Sequence, residues 1–116
     1  MLKNTNKERK KIINFNQLTQ AQLERLAILS EELGEAQQII GKIIRHGYDS
    51  YYPNDPEKIT NRQLLKDELR DIRVIVKALE HFKDIEEISL EDCQSCLERK
   101  QKYMHYNNIM EIFGFE

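Results

Sequence analysis

The sequence predicts an all-α fold, a bundle of three main helices, and three observations lead there. Apolar residues recur at spacings of three and four over 17–46 and again over 61–83, the period of one helix face. Glycine and proline are scarce, 4 and 2 in 116 residues, too few for the tight turns of a β-sandwich or barrel. Hydrophobic residues make up 40% and charged residues 33%, the balance of a soluble globular chain.

The length suits a single domain over 1–116. Its basic N-terminal segment, 1–15, carries five basic side chains and one acidic one within 3–11. This reads as a solvated turn or arm, or a short extra helix, with a nucleic-acid tail as the alternative that the lack of interleaved aromatics disfavours. The first long helix spans 17–46, with Leu26, Leu29, Leu33, Ala36, Ile40 and Ile43 as its apolar seam. Thr19 and Gln22 form a capping box near its start, and Gly47 stops it. Residues 47–60 hold both prolines and no helical period, a loop long enough to suggest a functional role. The second helix, 61–83, has the seam Leu65, Leu69, Ile72, Val76 and Leu79. After a connection over 84–88, Ser89 and Asp92 cap a third helix that is expected to reach about Asn107. Its inner face is drawn through Leu90, Cys93, Leu97 and Met104. The tail, 108–116, is apolar, and Phe113 and Phe115 call for cover by a core or a neighbouring subunit.

Several function classes are excluded early. No apolar run approaches about 18 residues, so no membrane span is expected. The N-terminus lacks the apolar stretch of a secretory signal, and a cytoplasmic protein is expected. A net charge of −2 argues against a protein that coats a nucleic-acid polymer. Cys93 and Cys96 form a lone C-x-x-C with no second pair for zinc, and read as packing cysteines. His46, His81 and His105 share no ligand spacing, and no glycine-rich phosphate loop occurs.

The informative feature is a set of acids where a bundle helix should be apolar. Glu32 and Glu35, three apart, share one face with Ile28 and Ile39, beside the seam, with Glu31 more exposed. Glu68 and Asp71 repeat that spacing on the second helix, Glu68 inside the apolar arc and Asp71 at its edge. Inward acids cannot all stay ionised at neutral pH without counter-charge. Carboxylate oxygens without histidine or cysteine select a hard cation, Mg²⁺ or Mn²⁺, over zinc. Di-iron bundles need a Glu-x-x-His motif, which the chain lacks.

These residues resemble a known family. Glu31-Glu32-Leu33-Gly34-Glu35, followed by Glu68-Leu69-Arg70-Asp71, is similar to the E-E-x-x-E…E-x-x-D signature of the MazG-like all-α nucleoside triphosphate pyrophosphohydrolases. The stretches Leu26–Ala36, Lys42–Gly47 and Asn61–Ile72 also resemble small members of that superfamily, phage-encoded ones included. The likeness covers about 18–104. It implies a helical homodimer or dimer of dimers. It also implies hydrolysis of a nucleoside or deoxynucleoside triphosphate to monophosphate and pyrophosphate. Mg²⁺ would be held by Glu32, Glu35, Glu68 and Asp71, with Glu31 helping to hold metal or orient water. For a phage-encoded member the compartment would be the host cytoplasm. Two departures stand out. The gap from Glu35 to Glu68 is 32 residues, longer than the compact signature, and Arg70 stands where glycine is common. Arg70 is assigned to the outer face, with no effect on metal.

Mechanistically, Glu31 or Glu32 is expected to accept a proton from the attacking water. Lys100 falls within the drawn inner arc of the third helix, either snorkelling or directed at an anion, and is assigned to the triphosphate. Tyr103 is a weaker candidate beside it. Lys42 and Arg45 are candidates for the phosphates, Tyr48 and Asn61 for base or sugar, and Tyr51 and Tyr52 for stacking or packing. Two other functions fit the same text: a catalytically silent helical oligomer that binds a protein partner, and a phosphoribosyl-ATP pyrophosphohydrolase.

Overall fold

The computed structural model describes residues 15–113. Most of the basic segment, any N-terminal helix within it, and Phe115 lie outside the described residues. The chain divides into two compact units, Met1–Asp84 and Ile85–Glu116. The elements among the described residues are all helical, and an isolated antiparallel bridge joins Tyr51 to Thr60.

The first unit is an antiparallel helical hairpin of α1, Gln20–His46, and α2, Asn61–His81. The α1 start is set by the expected capping box: Thr19 accepts from the Gln22 N–H while the Gln22 side chain accepts from the Thr19 N–H. Thr60 caps α2 by accepting from the Gln63 N–H. Both starts therefore follow from side chains that satisfy orphan backbone donors.

Gly47 ends α1 with φ 92° and ψ 167°, and its N–H donates to the Ile43 carbonyl at 2.7 Å. A side chain is disfavoured in that backbone region, although a Cβ there would meet nothing within 4 Å. Gly47→Ala is therefore expected to lower stability by about 1–3 kcal/mol through backbone strain alone, measured as a lower urea midpoint with an unchanged slope.

The C-terminal end of α2 is a Schellman-type turn. Lys83 takes the left-handed conformation at φ 64°, the Lys83 N–H donates to Glu80, and the Asp84 N–H reaches back to Leu79 at 2.9 Å. This turn aims Asp84 at the start of α1. Arg25 Nε and Nη2 donate to the two Asp84 oxygens at 2.6 and 2.9 Å, and Gln22 adds a 3.5 Å bond. The Arg25 guanidinium also lies 4.6 Å from the Phe82 ring centre. The far end of the hairpin is tied equally well: the Asn61 N–H donates to Ser50 and its side chain to Gly47.

The core of the hairpin lies along one side of the expected seam. Ala36, Ile39 and Leu79 are buried, and Leu29, Ile43, Leu64, Ile72 and Ile75 are half-buried. Leu26, Leu33 and Ile40, assigned to the α1 seam, are instead 42%, 50% and 43% exposed, and Leu69 of α2 is 50% exposed. The reason is geometric. One neighbouring helix covers only part of an apolar arc, and the contact falls on the 29–36–43 and 32–39 rows. That shift turns Glu32 inward.

The second unit holds α3, Leu90–Gln101, and a short 3₁₀ segment, Ile109–Phe113. Ser89 and Asp92 form the expected capping box, and the Ser89 N–H and hydroxyl hold the Asp92 carboxyl below its usual range. The expected extension to Asn107 is not observed. Instead the Gln101 side chain donates to the Asn107 carbonyl and accepts from the Ile109 N–H, both at 2.7 Å. That clasp folds the chain back and ends α3 a turn and a half early. The inner face is also corrected. Gln94, Cys96, Leu97 and Gln101 are the half-buried residues, whereas Leu90, Cys93, Lys100 and Met104 are exposed.

Candidate metal centre

The hairpin brings together acids from both helices. Glu32 of α1 and Glu68 and Asp71 of α2 each offer a carboxylate oxygen, and the three lie within 4.8 Å of one another. All three are half-buried. Spacing explains the α2 pair, because residues three apart stack on one face. The register of α1 against α2 supplies Glu32.

The electrostatics are unfavourable for three bare carboxylates. Glu32 Oε2 and Glu68 Oε2 are shielded from solvent and have no hydrogen-bond partner among the described residues. Ionised carboxylates only accept, so the two cannot satisfy each other. A proton shared between them relieves the conflict, and the Glu68 carboxyl is accordingly pushed up to about 7. The Glu32 carboxyl, placed to share that proton, is the chief cause, followed by burial and by Glu35. A cation between the oxygens would relieve it equally, and the all-oxygen donor set matches a hard divalent ion.

The other expected ligands sit around this centre. Glu35 is exposed and outside the three-oxygen cluster, yet close enough to raise Glu68. Glu31 is exposed on α1. Arg70 is exposed as expected, but its guanidinium reaches an Asp71 oxygen at 3.1 Å, so one of the two Asp71 oxygens is already engaged.

Lys42, Arg45 and Asn61 line one cleft of about 430 Å³ at the loop end of the hairpin, with Tyr51 and Tyr52 in its wall. Tyr48 is not part of it: the Arg62 guanidinium stacks 4.4 Å from the Tyr48 ring centre. Asn61 is buried and donates its amide to the Gly47 carbonyl, which makes it a loop anchor. Lys100 and Tyr103 belong to the second unit, where both are exposed. Cys93 and Cys96 are free thiols.

Sequence reasoning missed the Arg25–Asp84 pair. The signal was available on one side, since Arg25 lies on the same helical stripe as Leu29 and Glu32, and a charge there needs a partner as much as Glu68 does. No helix among the described residues is long and apolar enough to cross a membrane. No protein-family model, curated protein or solved structure matches the chain.

Proposed function

We propose that this protein is a Mg²⁺-dependent nucleotide pyrophosphohydrolase that cleaves a nucleoside or deoxynucleoside triphosphate to the monophosphate and pyrophosphate. The observation that carries this reading is the convergence of Glu32, Glu68 and Asp71, two of them with buried oxygens lacking partners. The motif resemblance to MazG-like enzymes supports it, because the same acids stand in that signature. Glu32, Glu68 and Asp71 would hold the ion, with Glu35 joining from the exposed side. Bound Mg²⁺, or Mn²⁺ in its place, supplies charge neutralisation for the triphosphate and acidifies a water.

The chain's own part is positioning and proton transfer. Water adds at the α-phosphorus as the bond to the bridging oxygen breaks, and pyrophosphate leaves. Glu32 or Glu31 accepts the water proton. Glu32 already stands in the cluster, and comparing Glu31→Gln with Glu32→Gln assigns the role. Lys42 lies seven residues beyond Glu35, about 10 Å along the helix, where an ammonium meets the phosphate end of a nucleotide.

We also infer self-association. Leu26, Leu33 and Ile40 form an exposed row at seven-residue spacing, on the side of the buried stripe away from Glu32 and Glu35. A homodimer, or a dimer of dimers, would cover that row without blocking the acids.

Melting and turnover test the reading together. Saturating Mg²⁺ at pH 8 should raise the melting temperature by roughly 10 °C, the effect of about 2.7 kcal/mol at a hundred times Kd. A panel of standard and modified triphosphates should release pyrophosphate only with Mg²⁺ or Mn²⁺. A protein whose melting ignores Mg²⁺ and which releases pyrophosphate from no member of the panel is the silent oligomer instead.

A further inference from the structure

We propose that the cleft at the loop end of the hairpin binds the nucleoside of the substrate, with its base against Tyr51 and Tyr52 and its 5′-phosphate toward Lys42. This deepens the hydrolase reading and rests on it for the direction in which the triphosphate runs.

The cleft has the size and chemistry for that occupant. Its volume of about 430 Å³ lies within the range of small-molecule sites, roughly 300–1,000 Å³. Tyr51, Tyr52 and Leu64 give it apolar and aromatic walls, while Lys42 and Arg45 supply positive charge. Neither cation has an ion-pair partner among the described residues. Asp55 also lines the cleft, with its carboxylate accepting from the loop's own N–H groups, and aromatic faces beside two cations without ion-pair partners suit a flat heterocycle carrying a phosphate.

The loop holds this shape before any ligand arrives. Asp55 accepts from the Glu57 and Ile59 N–H groups at 3.0 and 2.9 Å. The Tyr51–Thr60 bridge and the Asn61 bonds close the loop's base. So ordered a loop still leaves Tyr51 40% and Tyr52 69% exposed. Rings held at a cleft wall by a fixed backbone lose little entropy on binding a base.

Leu64 and Asn61 precede Glu68 by four and seven residues, about 6 and 10 Å along α2. On α1, Glu35 and Lys42 share the outer side of the stripe that carries Glu32 and Ile39. Acids and cleft thus follow one another along the same hairpin, spaced for the phosphate and nucleoside ends of one molecule.

The test uses the full chain in EDTA, so that no turnover intervenes. Deoxynucleoside 5′-monophosphates of the four bases and inorganic tripolyphosphate are titrated separately and followed by amide resonances. At least one monophosphate should shift residues 42–64. Tyr52→Ala should weaken it about tenfold, the scale of one base–ring stack, and Tyr52→Phe should not. Tripolyphosphate binding should be indifferent to Tyr52→Ala. Monophosphates that leave 42–64 unshifted, or that bind Tyr52→Ala as they bind the unaltered protein, overturn the assignment. So does a cleft that takes tripolyphosphate and no monophosphate. If Tyr52→Ala does not fold, the shift map of the unaltered protein and the Tyr51→Ala variant decide. Mg²⁺ added to the same protein reports on Glu32, Glu68 and Asp71, so the failure of the metal reading and of the cleft reading are separate results.

Discussion

Asp71→Asn is expected to cut triphosphate hydrolysis about a thousandfold while leaving the far-ultraviolet helical signal unchanged. Asparagine keeps the shape of aspartate and can still accept from Arg70, so the α2 surface stays intact. What it removes is the negative charge that, with Glu32 and Glu68, would hold a divalent ion within the 4.8 Å cluster. Loss of turnover should therefore be accompanied by loss of the Mg²⁺-induced rise in melting temperature. Glu35→Ala is expected to abolish turnover as well, but from the exposed side of the site, and so with little change in metal-free melting. Turnover that survives either substitution would remove that residue from the metal set. Retained Mg²⁺ stabilisation with lost turnover would make Asp71 a positioning group for water or substrate.

The parts of this site that were legible in the sequence are those set by local rules. Thr19 and Ser89 start helices because a hydroxyl satisfies nearby backbone donors, and each does so in the structure. The three-residue spacing of Glu68 and Asp71 guarantees a shared face whatever α2 packs against. The phase of α1 was less legible. Leu26, Leu33 and Ile40 look like core in a periodicity count, because a face that meets its own hairpin and one left for another surface carry the same apolar signal. The α3 end depended on Gln101 finding Asn107 and Ile109, contacts that no propensity encodes. Lys100 followed from a misplaced phase in α3: it lay at the centre of an arc of which Leu97 is half-buried and Leu90, Cys93 and Met104 are exposed.

Asp84→Asn is expected to cost about 2–3 kcal/mol, read as a lower urea midpoint and a fall of roughly 10 °C in melting temperature. The Arg25 and Asp84 side chains are only 16% and 11% exposed, so the change leaves a guanidinium largely shielded from water with half its partner gone. The Arg25 bond also holds the Asp84 carboxyl below its usual range, which fixes a pH dependence. A lowered carboxyl contributes stability above its unfolded value, near 3.8, and loses it as pH falls through the folded value. Glu68 acts in the opposite sense in metal-free protein. Its carboxyl is raised from 4.5 to about 7, so its contribution is complete below 4.5 and disappears as pH rises through 7. In EDTA these two groups should therefore make the hairpin most stable between about 3.8 and 4.5, with Asp84 causing the loss below 3.8 and Glu68 the loss as pH rises from 4.5 to about 7. Glu68→Gln should flatten the alkaline limb alone and Asp84→Asn the acid limb alone. Mg²⁺ should abolish the alkaline loss in the unaltered protein, because an ion replaces the proton that Glu32 and Glu68 otherwise need. An alkaline limb that persists at saturating Mg²⁺ would show that the proton between those two acids has no metal substitute.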